Sequence, residues 1–136
     1  MALTIGQVAK AAHVNIETLR YYERRGLVPK PPRNLCHYRR YPEDTPPRIQ
    51  FVKHAQQLGF SLREIRELLS LRARPKARCA EVKTRAETKI AEIETKIRAL
   101  QGMRTALRRL VSQCEGELPA SACPILESLD ERERNV

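Results

Sequence analysis

The stretch "TIGQVAKAAHVNIETLRYYERRGLV", residues 4–28, decides how this chain folds. Thr4 stands where a helix N-cap is wanted, and Ile5, Val8 and Ala9 then recur at helical spacing. Asn15 is placed to cap a second helix, in which Leu19 and Tyr22 repeat on one face before Gly26 ends it. Ala11, Ala12 and Val14 are small enough to let two helices approach closely, and His13 reads as a polar turn residue. The expectation is two short helices across a tight turn, a helix-turn-helix.

Downstream, "PKPPRNLCHYRRYPEDTPPR", residues 29–48, carries prolines at 29, 31, 32, 42, 46 and 47, which forbid a long helix. Between them "CHYRRY" suits a short strand in a hairpin or wing. Arg39 and Arg40 flanked by Tyr38 and Tyr41 form a cationic and aromatic composition suited to a sugar–phosphate backbone. Residues 46–72 read as a second helix pair. Ile49, Val52 and Ala55 form one stripe, and Gly59 breaks the chain. Ser61 caps again with Glu64 completing a capping box, and Leu62, Ile65, Leu68 and Leu69 form a buried face.

From about residue 79 to 113 runs one long helical pattern without proline. Its apolar positions Val82, Ala86, Ile90, Ile93, Ile97 and Leu100 are spaced by steps of four or three, and Met103, Leu107 and Leu110 continue after a slip in phase. A lone helix would expose that stripe, so it requires a partner, of which a second copy is the simplest. The domain plan that follows is a DNA-binding-sized head over 1–75, a dimerisation helix over 76–113, and a loop and tail over 114–136.

Cysteines mark the ends of this helix. Cys79 opens it, Cys114 follows it, and Cys123 lies nine residues further on, around Gly116 and Pro119. No signal-peptide pattern and no apolar run of ~18 residues is present, so the expected compartment is the cytoplasm, with no membrane partner and with reduced thiols. Metal ligation or inert packing then precedes a stable disulfide as a reading. At ~1.5 Å per residue, Cys79 and Cys114 stand roughly 50 Å apart along one rod. An antiparallel pair of helices would bring Cys79 of one subunit to Cys114 and Cys123 of the other, whereas a parallel pair would set Cys79 beside Cys79. Spacing alone leaves both open. Cys36 reads as a spare surface or packing thiol, and His37 and His54 belong to no metal-ligand spacing. Ser112, Ser121, Glu115 and Glu117 read as solvated polar groups.

Charge is divided unevenly. Residues 1–78 hold 16 Lys and Arg against 6 Asp and Glu, whereas residues 79–136 hold 10 of each. The whole excess of +10 therefore sits on the head, as expected of a phosphate-binding module attached to a neutral partner-binding element. There is no CxxC and no glycine-rich cofactor loop, so an enzyme is not expected.

"TIGQVAKAAHVNIETLRYYERRGLV", "YRRY" and "FVKHAQQLGFSLREIRELLSL" resemble, in wording and order, the DNA-binding half of the MerR family of bacterial regulators. The resemblance implies a mainly α, winged helix-turn-helix homodimer joined by an antiparallel coiled coil, with a C-terminal metal-binding loop. Its partners would be double-stranded promoter DNA and RNA polymerase. It implies recognition-helix contacts at Thr18, Arg20 and Tyr21, with Arg20 suited to a base edge. Backbone-positioning contacts are implied at Tyr38, Arg39, Lys53 and Arg63. Cys79, Cys114 and Cys123 match the pattern of the mercury-responsive branch, which implies Hg(II) held by Cys114, Cys123 and Cys79 of the partner subunit, and activation of a mercury-resistance operon by distortion of the promoter.

Three thiolates suit a soft ion. Zn(II) wants a fourth ligand, and the loop has neither the histidine nor the adjacent second cysteine of the zinc-responsive branch. The copper-responsive branch has serine at the place of Cys79. Pb(II) and Cd(II) sensors share all three cysteines and remain alternatives, although "CPIL" at 123–126 resembles the mercury branch. From another class, a thiol-redox or organic-effector regulator would use Cys114 and Cys123 as a disulfide.

Overall fold

The computed structural model describes residues 2–34 and 38–134, the last four by backbone alone. Cys36 and His37 lie outside the described residues. The helices are α1 (Ile5–Ala11), α2 (Ile16–Arg24), α3 (Thr45–Gln57), α4 (Leu62–Ala73), α5 (Cys79–Gln113) and α6 (Pro124–Arg134), with a 3₁₀ turn at Ala120–Ala122. The fold is mainly helical, as expected. The chain forms two compact units, Met1–Lys89 and Ile90–Val136.

In the first unit the helix starts are set by local chemistry. Thr4 Oγ1 accepts the Gln7 amide at 3.2 Å while Gln7 Oε1 accepts the Thr4 amide at 2.9 Å, so α1 begins in a reciprocal capping box. Asn15 Oδ1 accepts the Thr18 amide at 2.7 Å at the head of α2. Ser61 and Glu64 form the same reciprocal pair for α4, at 3.1 and 2.7 Å. Each such cap is worth about 1 kcal/mol. The turn between α1 and α2 is closed by His13 at φ 57, a left-handed conformation that bends the chain within a few residues. Gly26 at φ 74 leads the chain out of α2, where a β-carbon would be strained.

Val8, Leu19, Leu27, Val28, Ile49, Val52 and Ile65 are fully or almost fully buried in one cluster, joined by Ala12, Tyr22, Ala55 and Leu69. α1 packs on α2 and α3, and α3 on α4. Tyr22 sits in the core as its helical spacing requires, its hydroxyl donating to Gln56 Oε1 at 2.7 Å. Burial raises its pKa.

The proline-rich segment departs from expectation in one respect. Tyr41 does not face a partner: it is fully buried, paired through its backbone with Leu3 at 2.8 Å in both directions, with its hydroxyl donating to Glu23 Oε2 at 3.0 Å. Burial first, and then the Glu23 carboxylate, push its pKa up to about 12. Tyr38, two-thirds exposed, is the aromatic ring of that run left to solvent. Among the described residues, isolated antiparallel bridges join Arg33 with Arg39 and Tyr41 with Leu3, in place of a regular strand.

The first part of α5 belongs to this unit. Lys89, almost fully buried, donates to Glu64 Oε1 at 2.8 Å, and its ammonium lies 5.5 Å from the Phe60 ring centre. The Lys89 contact, then the Ser61 amide, lower the Glu64 pKa to about 2. Arg85 is ion-paired with Glu67 on α4. Both contacts tie α5 to the head.

In the second unit, α5 continues from Ile90 with Ile90, Ile93, Ile97, Leu100, Met103 and Leu107 exposed, as a partner-seeking stripe requires. Leu110 is half-buried, and Val111 is exposed beside it. Gly116 at φ 83 turns the following loop. Pro119 precedes the 3₁₀ turn, which packs on α6. Among the described residues no helix is long and apolar enough to cross a membrane.

Candidate DNA interface and thiol pair

A cleft of about 770 Å³ opens between α2 and the proline-rich segment, lined among the described residues by Arg20, Arg24, Lys30, Arg33, Arg39 and Arg40 with Tyr38 and a single carboxylate, Glu23. Such a concentration of cations attracts a polyanion and releases its counterions on contact. Arg20 is exposed and only loosely paired with Glu17 at 4.0 Å, so its guanidinium stays available for a base edge. Arg39 spends one N–H on the Pro31 carbonyl at 2.7 Å, which fixes the guanidinium against the segment's own backbone.

The expected contact residues do not all gather here. Arg20, Tyr38 and Arg39 share the cleft. Thr18 and Lys53 line a separate open groove with His13, Asn15 and Gln56. There the Thr18 hydroxyl donates to Asn15 Oδ1 at 2.9 Å and Lys53 to the His13 carbonyl at 3.3 Å. Tyr21 is exposed, with the Arg24 guanidinium 5.9 Å from its ring centre. Arg63 lies in a third cleft with Arg66, Arg74 and Arg85. Sequence reasoning did not single out Arg24, Lys30 or Arg33, and it named Arg40 only as part of the cationic and aromatic run 38–41. The net charge of the head was the available signal, but it does not say which cations converge.

The thiols divide between the units. Cys79 opens α5 and is exposed. Just before it, the Arg78 amide donates to Glu81 at 3.1 Å, and Arg74 pairs with the same carboxylate at 3.4 Å. In the second unit, Cys114 and Cys123 are near enough for the Cys114 side chain to act on the Cys123 thiol. Both are half-buried. Cys123 immediately precedes α6, and the backbone amides of Leu126 and then Ile125 lower its pKa, with Cys114 adding to the effect. A helix start favours the thiolate, the form that ligates metals. Two sulfurs, one drawn toward the anion, fit a soft cation in donor type but leave its coordination short. Among the described residues, no three His, Cys, Asp or Glu of one chain form a group able to hold a metal.

Comparisons with known proteins bear on both halves of the site. The family model described as "MerR HTH family regulatory protein" matches residues 3–71, and that described as "MerR, DNA binding" matches residues 47–110. The mercuric resistance operon regulatory protein of Serratia marcescens is 45% identical over 127 residues, covering 93% of this chain and 87% of the relative. Two solved structures are similar, each match covering 93% of this chain and 98% of the other. One is the transcription regulator PbrR691 of Ralstonia metallidurans CH34 in complex with lead(II), with a TM-score of 0.84 and 35% identity. The other is the dual-function regulator MerR of Bacillus megaterium MB1 in complex with mercury(II) ion, with a TM-score of 0.69 and 36% identity. The chain belongs to the MerR family of DNA-binding transcription regulators.

Proposed function

We propose that this chain is a metal-responsive regulator that binds promoter DNA as a homodimer and activates a mercury-resistance operon when Hg(II) is captured. The observation that carries this reading is the Cys114–Cys123 sulfur pair at the end of a helix that exposes an apolar stripe along its length. The pair supplies two soft ligands and calls for a third. In an antiparallel dimer, Cys79 of the partner subunit is the sulfur that α5 would deliver. The ion would supply a three-coordinate link between thiolates of two chains. The mercuric resistance relative at 45% identity favours Hg(II).

The chain's own residues supply the rest. Arg20 reads a base edge from α2, and Tyr21 and Thr18 extend from the same helix. Tyr38, Arg39, Lys53 and Arg63 hold the phosphate backbone. The heads distort the promoter so that RNA polymerase finds its two recognition elements in register. Bending and untwisting DNA costs a few kcal/mol, which differential ion affinity between two dimer states must offset. A second reading, Pb(II) as effector, is favoured by the TM-score of 0.84 to a lead(II)-bound regulator.

The shared site is tested by subunit mixing. Cys79→Ser chains and Cys114→Ser/Cys123→Ser chains each lose tight ion binding as homodimers. Their heterodimer regains one site, because Cys79 of the second chain then meets Cys114 and Cys123 of the first. Titration of that heterodimer with Hg(II), Pb(II), Cd(II) and Zn(II) under thiol competition ranks the ions. No recovery on mixing would refute the shared site, and a Pb(II) preference would overturn mercury as effector.

A further inference from the structure

Among the described residues, Glu23 is the one carboxylate lining the basic cleft. Its Oε2 is held at 3.0 Å by the hydroxyl of Tyr41, whose ring is fully buried and whose backbone N–H and C=O are both paired with Leu3, so the anchor is fixed. Arg20 of α2 and Arg39 of the proline-rich segment line the same cleft as this carboxylate. An immobile anion opposes phosphate oxygens wherever they lie along the cleft. The DNA group that does attract it is an exocyclic amino donor on a base edge, as cytosine and adenine present in the major groove. Phosphate attraction supplies essentially all of non-specific binding, whereas base contacts separate one sequence from another.

We propose that Glu23 is a specificity-determining residue of the DNA interface: its fixed negative charge weakens phosphate-driven binding to any sequence, and a base amino group recovers that loss. This rests on the reading that the cleft meets DNA. Glu23→Gln keeps an acceptor for Tyr41 and for an amino group while deleting the charge, so it isolates the effect. Tyr41→Phe keeps the charge and releases the carboxylate. Glu117→Gln makes the same change in net charge at a residue that does not line the cleft.

The experiment measures affinity of the full chain and these variants for two duplexes across a salt series. One is a 40-bp duplex of random sequence and the other is the duplex that the native chain enriches from a random library. Far-UV circular dichroism confirms that each variant is folded. Glu23→Gln is expected to bind the random duplex about three- to tenfold tighter at 0.1 M salt, with a steeper salt slope. Affinity for the enriched duplex rises less, so the ratio between the two falls. Tyr41→Phe lowers the ratio without the gain on random DNA, and Glu117→Gln changes neither. The inference is overturned if Glu23→Gln binds random DNA no more tightly than the native chain, or tightens on both duplexes by the same factor. If the native chain binds neither duplex, the DNA reading of the cleft fails and Glu23's role with it. If it binds both and Glu23→Gln is silent, only the role of Glu23 falls.

Discussion

Replacing Lys89 by methionine deletes an ammonium while keeping the length of its stem, and tests whether the head is locked onto α5 by charge. In the native chain Glu64 stands at about 2, against an ordinary 4.5. At about 1.4 kcal/mol per unit, that shift sets a ceiling of roughly 3.5 kcal/mol on its favourable interactions. Two facts reduce the share belonging to Lys89. The Ser61 amide contributes and survives the substitution, and the Glu64 side chain keeps 31% of its exposure, so water takes up part of the lost contact. Methionine also avoids the cost of burying a charge. The expected loss is about 1–2 kcal/mol at pH 7, read by urea unfolding at fixed protein concentration. Because the folded value of Glu64 is depressed, its contribution is full above the ordinary carboxylate range and is lost as pH falls toward about 2. The gap between native and variant must therefore narrow below pH 4.5. A variant equal to native at pH 7, or a gap that persists unchanged at about pH 3, would refute this reasoning.

Four further outcomes follow from the same structure. Ile97→Glu places a charge in the exposed apolar stripe of α5 and should convert the proposed dimer to monomer in sedimentation experiments, with circular dichroism of the head retained. Ser61→Ala removes one side of the α4 capping box and should cost about 1 kcal/mol in urea unfolding. Gly26→Ala forces a β-carbon into φ 74 and should destabilise by about 1–2 kcal/mol, because the Arg66 guanidinium 3.8 Å away leaves ordinary contact space and the penalty is that of the backbone alone. Arg20→Ala should weaken binding to an enriched operator far more than to random DNA, whereas Tyr38→Ala should weaken both comparably.

What the sequence disclosed was governed by interactions of short range. Thr4, Asn15 and Ser61 announce helix starts because a cap and its amide are three residues apart. The stripe from Val82 to Leu107 shows its unpartnered face because periodicity alone sets it. Tyr41 was misread because an aromatic ring beside arginines suits a phosphate or a core equally, and its burial depends on Leu3 and Glu23, distant in sequence. The Lys89–Glu64 pair spans 25 residues and carries no local signature. In the cleft, Arg20 and Arg39 were legible from the MerR-like motifs, whereas the convergence of Lys30, Arg33 and Arg40 depends on how α2 meets the proline-rich segment. Cys114 and Cys123 were the easiest pair to anticipate, since Gly116 and Pro119 permit the loop to fold back.

The residue at the head of α6 is a sulfur nucleophile, and that gives the tail a built-in reporter. The amides of Ile125 and Leu126 that draw Cys123 toward its anion are also amides of the first turn of α6. Alkylating that sulfur removes its ability to become an anion, leaves those amides a weaker acceptor, and should loosen the turn. Tail helicity therefore registers the chemical fate of one atom, and amide exchange at Ile125 and Leu126 would follow it without a label.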